Sequence, residues 1–215
     1  MNLSIAPEFN GAAQLGIIEM KGIKVTESPD ELKSMLDALA VRVARQYTDA
    51  PLGEIDTVRR IRSIFHRSGL DPTRYRPSSE SLLRRAVKGK GLYFINSVVD
   101  LINYFSLKTL CPMGLYDSAM VRPPVEWRPG REGESYEGIG RDRLNLDHFP
   151  LLVDGEGPFG SPISDSMRTR VTEACSQILW ITFAPAGTTI ALGEMIETMQ
   201  RFNGGEAVSS IQYGS

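Results

Sequence analysis

Apolar Leu32, Met35, Leu36, Leu39 and Val43 recur at three- and four-residue spacing, which places them on one face of a helix. Ser28-Pro29-Asp30-Glu31 stands before them as an N-cap serine, a proline at the first helical position and an acid in the first turn. A second helix is predicted over residues 55–67, with Val58, Ile61, Ile64 and Phe65 on one face and Gly69 as its stop. Arg59, Arg60, Arg62 and Arg67 fall largely off that face. Residues 71–79 read as a proline-punctuated loop, and Ser78 or Ser79 caps a third helix through Leu82, Leu83 and Val87, ended by Gly89-Lys90-Gly91. Residues 95–107 are apolar on nearly every side, with Asn96 or Ser97 as the cap, which is the pattern of a buried helix.

Period-two and short apolar runs mark the strands. Residues 15–20 and 23–25 read as extended segments, with Gly22 as a bend or bulge between them. From Pro112 onward the apolar pieces are short and split by Gly and Pro, notably residues 151–153, Phe159 and residues 178–183. A last amphipathic helix is predicted over residues 188–202 through Ile190, Leu192, Met195, Ile196 and Met199, and Gly204-Gly205 follows it. Helices gathered mainly in the first half and strands in the second predict an α+β fold, with the helices packed on a mostly antiparallel sheet. No repeat or linker interrupts the chain, so the expectation is one domain over residues 1–215.

Composition narrows the setting. A content of 41% hydrophobic and 23% charged residues belongs to ordinary globular proteins. No apolar run approaches the roughly 20 residues that span a bilayer, and residues 1–11 lack a basic stretch followed by an apolar core, so no membrane partner is expected and the expected location is the cytoplasm. Cys111 and Cys175 stand alone, without a second cysteine or a histidine at ligand spacing, which points to buried thiols rather than a disulfide or a zinc site. The net charge of −2 conceals a split: residues 56–90 hold ten Lys or Arg against Asp56, Asp71 and Glu80, a local +7 on a body of −9. Such a block either attracts a phosphate-bearing partner or forms a solvated helix face.

The phosphate-binding, dinucleotide, zinc-protease and serine-hydrolase signatures are all missing, so neither a cofactor nor a metal is expected. His66 and His148 are isolated from other candidate groups and carry little weight as general bases. Asp100 and Asn103 share one face of the apolar helix, so each must find a backbone partner nearby or line a pocket that takes an outside ligand. Asp117 poses the same alternative. Arg74, Arg76, Ser78, Ser79, Glu80, Arg84 and Arg85 surround a helix start, where free amides favour an anion. The competing reading pairs Glu80 with Arg84 at helical spacing and leaves the arginines in solvent, worth about 0.3–0.5 kcal/mol.

Three motifs then carry a family resemblance: Arg74-x-Arg76-Pro77-Ser78-Ser79-Glu80-x-Leu82-x-Arg84-Arg85, the run from Ile95-Asn96-Ser97 to Asn103-Tyr104, and Pro112-Met113-Gly114-Leu115-Tyr116-Asp117. Together they resemble the B3/4 domain family, which includes the editing domain of the phenylalanyl-tRNA synthetase beta chain and its stand-alone relatives. The core of the likeness covers residues 71–117, and a weaker one continues through Asp165-Ser166-x-Arg168-Thr169 to the strand near Ile178. The synthetase domain carries Asn-x-Val-Val-Asp-x-Thr-Asn-Tyr and Pro-Met-His-Ala-Phe-Asp at the second and third motifs. Here Ile102 replaces the threonine and Gly114 the histidine, Asn103 is kept, and Ile181 and Thr182 stand where an acid is expected.

The resemblance implies an editing-type α+β fold, a tRNA or other RNA partner, and an aminoacyl or small-molecule ligand. It implies a substrate pocket from Asp100, Asn103, Gly114, Tyr116 and Asp117, with Asn103 the best catalytic candidate, and RNA phosphate contacts from Arg74, Arg76, Ser78, Ser79, Arg84 and Arg85. The implied activity is deacylation of mischarged aminoacyl-tRNA in trans rather than complete tRNA ligation. The alternative is a non-catalytic module binding RNA or a small molecule on the same fold.

Overall fold

The computed structural model describes residues 2–214. In chain order its strands are β1 (Leu3–Ile5), β2 (Ala13–Ile23), β3 (Met113–Asp117), β4 (Val125–Pro129), β5 (Ser135–Glu137), β6 (Arg143–Asn145), β7 (Pro150–Asp154), β8 (Gly157–Gly160), β9 (Gln177–Pro185) and β10 (Gly204–Tyr213). The α-helices are α1 (Asp30–Tyr47), α2 (Asp56–Ser68), α3 (Ser78–Val87), α4 (Ser97–Thr109) and α5 (Leu192–Asn203).

Strand alternation builds the layers. In the antiparallel sheet β10-β2-β9-β3, side chains two apart share a face. Leu15 and Ile17 of β2, Tyr116 of β3, and Leu179, Ile181 and Phe183 of β9 pack with Trp127, Leu151, Leu152 and Phe159 of the second sheet, whose order is β1-β4-β7-β8. The alternate residues Ile18, Met20, Met113, Leu115, Ile178 and Trp180 pack against Val98, Leu101, Ile102 and Phe105 of α4 and Met195 and Met199 of α5. Helices α1 and α3 join α4 through a third cluster centred on Leu36, Leu39, Leu83 and Leu107. Each such large apolar side chain contributes about 1.5–3 kcal/mol when fully buried. The second sheet is mostly antiparallel, with β1 and β4 its parallel pair. A small hairpin, β5-β6, pairs with neither sheet but buries Tyr136 in the core between them.

The expected α+β class, with helices mainly early in the chain, agrees with this architecture. Helix α2 ends as expected: Gly69 adopts the left-handed conformation (φ 89°) and its amide donates to the carbonyls of His66 and Phe65. Asn96 caps α4 by accepting from the Val99 amide at 2.9 Å. Gly22 sits inside β2 at φ 70°, so the two expected segments form one strand that ends before Val25.

Three expectations are corrected. Ser28 does not cap α1; the N-cap position is Pro29, and the Ser28 hydroxyl turns inward to donate to Asp100 Oδ2 at 2.5 Å. Neither Ser78 nor Ser79 caps α3, because Pro77 holds that position and both serines lie within the first turn. Helix α5 begins at Leu192 rather than residue 188, since the Thr188 carbonyl accepts from Gln14 and Gln212, and Ile190 packs over Gly16. Strand β10, unforeseen, pairs with β2 over most of that strand's length.

Candidate functional site

Helix α4 runs beside the edge strand β3, and between them opens a cavity of about 220 Å³. Val99 and Ile102 of α4, Met113 and Leu115 of β3, and Ile139 and Val171 from later loops give it apolar walls. Asn103, Asp165 and Arg170 bring polar groups to the same space. The edge of α4 beside its buried face therefore yields a concave patch that is mostly apolar with a few convergent polar groups, the usual composition of a small-molecule site. Asn103 is half-buried, and its side chain makes no hydrogen bond to the described residues, so its amide is free to meet a ligand.

Asp165 is held from behind. Its Oδ1 accepts from the Tyr116 hydroxyl at 2.8 Å, and the backbone amides of Leu115 and Ser161 also donate to its carboxyl. Loss of solvation by burial pushes that carboxyl up to about 7, although the three donors pull the other way. Burial and the facing carboxylate together push the Tyr116 phenol well above its ordinary range, so the phenol stays the proton donor. An acid titrating near neutrality can serve as either proton acceptor or proton donor at working pH.

The structure separates the residues expected to form one pocket. Asn103 faces the cavity. Tyr116 is fully buried on the other face of β3, where its hydroxyl fills the space above Gly114 and Gly160; a Cβ there would lie 2.0 and 2.2 Å from it. Gly114 therefore offers no side chain to a ligand, and none fits. Asp100 is buried and accepts from the Ser28 hydroxyl and the Ile95 amide, which anchors the start of α4. Burial raises its carboxyl, and those two donors oppose the rise. Asp117 caps a short 3-10 helix through the Ala119 amide and accepts from Cys175 Sγ at 3.0 Å. The polar-partner reading thus describes Asp100 and Asp117, and the open-pocket reading describes Asn103.

The arginine-rich helix start is likewise organised from within. Glu80 is 1% exposed and receives a forked pair of hydrogen bonds from Arg62 at 2.8 and 2.7 Å, a third from Arg84 at 2.7 Å, and an ion pair from Arg76 at 3.5 Å. Burial raises the Glu80 carboxyl, but the bonds from Arg62 and Arg84 outweigh it and hold the group below its ordinary range. The expected Glu80–Arg84 pair is thus part of a buried network rather than a solvated face. Ser79 is buried, while Arg74 and Arg76 remain exposed and Arg85 lies over the Tyr93 ring. His66 and His148 are exposed and do not line the cavity.

Asp165 and Arg170 were not assigned a role from sequence. Asp165 falls in the Asp165-Ser166-x-Arg168-Thr169 stretch, which is 62 residues beyond Asn103, and only the folding of that loop against β3 brings the two to one cavity.

A model of the B3/4 domain matches residues 60–203. The chain belongs to the B3/4 domain family. Among curated relatives, the phenylalanine–tRNA ligase beta subunit of Bartonella henselae is 27% identical over 135 residues, covering 60% of this chain and 17% of that protein. Its counterpart in Paramagnetospirillum magneticum is 25% identical over 168 residues, covering 77% of this chain and 19% of that protein. This B3/4 chain thus spans less than a fifth of the curated relatives it matches. An N-terminal fragment of the phenylalanyl-tRNA synthetase beta-subunit from Pyrococcus horikoshii has a similar fold, with a TM-score of 0.51 at 13% identity over 100% of this chain and 54% of the fragment. Among the described residues of this B3/4 protein, no helix is long and apolar enough to cross a membrane.

Proposed function

We propose that this B3/4 protein is a single-domain, tRNA-associated module that receives the aminoacyl end of an RNA in the cavity between α4 and β3 and hydrolyses its ester in trans. The observation that carries this reading is the free Asn103 amide in an apolar cleft that also contains Asp165. At about 220 Å³ the cleft is smaller than the roughly 300–1,000 Å³ of drug-sized sites and suits an amino-acid-sized group. The relatives' description as beta subunits of a tRNA ligase supports an RNA partner, while the small share they have in common argues for the domain's role rather than the ligase's.

In this reading the apolar walls hold the amino-acid side chain, and Asn103 donates from its amide to the ester carbonyl oxygen. An aminoacyl ester is already activated, so alignment and a few fixed donors supply much of the needed rate gain. Asp165, poised near neutrality, accepts a proton from the water as its oxygen bonds to the ester carbon, and returns it to the ribose oxygen as the ester C–O bond breaks, leaving the free amino acid and the RNA hydroxyl. Arg170, exposed at the rim, meets the terminal phosphate.

A second reading, a binder without catalysis, draws support from the Tyr116 hydroxyl occupying the space above Gly114, at the position where the synthetase motif carries a histidine. Deacylation of a panel of correctly and incorrectly charged aminoacyl-tRNAs separates the two. Turnover of a mischarged species that drops at least tenfold in Asn103→Ala establishes trans-editing. Rates equal to buffer across the panel sink the catalytic reading and leave the binder.

A further inference from the structure

The segment joining α3 to α4 departs from the burial pattern elsewhere. Three consecutive large apolar residues, Tyr93, Phe94 and Ile95, are 68%, 41% and 63% exposed. Contiguous exposed apolar groups of this kind mark interaction sites. The segment is not loose at its ends. Leu92 is buried in the helical cluster, and the Ile95 amide donates to buried Asp100 at 2.9 Å. Between these anchors the Arg85 guanidinium lies 3.8 Å from the centre of the Tyr93 ring, and its Nη2 donates to the Lys90 carbonyl at 3.2 Å.

Charge selects the partner. Residues 81–99 contain Arg84, Arg85, Lys88 and Lys90 and no acid. The flanking acids are both buried: Glu80 is neutralised by its arginines and Asp100 is held by Ser28 and Ile95. Arg84 is committed to Glu80, so Arg85, Lys88 and Lys90 are the cations beside the exposed aromatics, with Asp37 of α1 across the adjoining cleft at Gly89 and Gly91 the acid that faces this loop. Flat apolar faces beside cations fit a polyanion that itself carries flat faces, which is the chemistry of unpaired nucleic-acid bases and their phosphates. The path also has a destination, because Ile95, next to Phe94, lines the cavity that contains Asn103.

We propose that Tyr93 and Phe94 form a stacking platform for unpaired bases of an RNA end, with Arg85, Lys88 and Lys90 holding its phosphates, so that the strand is led past Ile95 into the α4–β3 cavity. This deepens the reading of that cavity as the acceptor of an aminoacyl RNA end and rests on it for the identity of the strand. The stack of Arg85 on Tyr93 leaves one ring face for a base. A membrane surface with anionic headgroups is the rival occupant, and it requires no adjoining cavity.

The test is fluorescence anisotropy of the full chain with a short labelled single-stranded oligoribonucleotide, a blunt RNA duplex of the same composition, and anionic vesicles. Tyr93→Ala with Phe94→Ala is expected to weaken single-strand binding at least about tenfold, while Tyr93→Phe binds like the wild type. Lys88→Ala with Lys90→Ala is expected to flatten the salt dependence. All these residues are exposed, and an unchanged melting curve confirms that the variants fold. Single-strand binding that survives loss of both rings, a preference for the duplex, or binding to vesicles without binding to the strand overturns the platform. Ring-dependent strand binding with no deacylation would defeat only the catalytic reading. Deacylation by a variant lacking both rings, with strand affinity unchanged, would defeat only the platform.

Discussion

The hydroxyl of Tyr116 occupies the place a side chain on residue 114 would need: a Cβ at Gly114 would stand 2.0 Å from it and 2.6 Å from the ring carbon that bears it. Gly160 closes on the same hydroxyl from the other side, at 2.2 Å for a Cβ there, and Asp165 accepts a hydrogen bond from it at 2.8 Å. Two glycines, a tyrosine and an aspartate from separate strands and a loop therefore form one unit behind the cavity.

Gly114→Ala is expected to cost about 1–3 kcal/mol in chemical denaturation, the ordinary effect of overpacking a filled core. Adding Tyr116→Phe removes the nearest clash but leaves the ring carbons within 3 Å, so only part of the loss returns. A fully neutral Gly114→Ala would show that the hydroxyl does not fill this space.

Asp165 sets a pH dependence whose sign follows from its raised value. Its carboxyl titrates at about 7 in the folded chain against 3.8 ordinarily, so between these values the folded state holds more protons than the unfolded one. The Asp165 contribution to stability is greatest at acid pH, declines as pH rises from about 4 to about 7, and is flat above. Unfolding midpoints for the wild type and Asp165→Asn, compared at intervals across that window, are expected to converge or diverge only inside it. If Asp165 also serves as the base for hydrolysis, the wild-type rate rises with pH and reaches half its plateau near 7, and the variant lacks that limb.

Glu80 shows the opposite direction. Its carboxyl is held below the ordinary 4.5, so its stabilising effect is present above that value and is lost as pH falls through the lower folded value. Glu80→Ala removes a buried anion and leaves Arg62 and Arg84 facing each other. The expected loss is about 3 kcal/mol, at the low end for a broken buried pair because the arginines keep some solvent. A change within 0.5 kcal/mol would return this cluster to the solvated-face description.

Ser28 ties the chain preceding α1 to the buried face of α4. Ser28→Ala is expected to cost about 1–3 kcal/mol, because Asp100 loses a donor in a buried setting. In a double-mutant cycle with Asp100→Asn the two changes should couple by at least about 0.5 kcal/mol. Additive losses would mean that Ser28 acts on the helix start alone.

Much of the helical half was legible in the chain because helix signals are local. The apolar spacing of α1 and α2, the Gly69 stop and the Asn96 cap all depend on neighbours within about one turn. The α+β class followed from helices gathered early and short strands late, and the B3/4 resemblance from the motifs within residues 71–117. Strand β10 was not legible: its side chains are mostly exposed, so no alternation marks it, and its place is set by hydrogen bonds to β2 nearly two hundred residues earlier. Residue type also left roles open that only neighbours decide. Asp100 and Asn103 share a helix face, yet packing of α1 gives Asp100 a serine while Asn103 is left facing the cavity. Asp165 gains its position from β3, a strand about fifty residues away, and its near-neutral titration from burial that the β3 donors oppose, because burial and donor geometry are properties of the assembled layers and not of the local sequence.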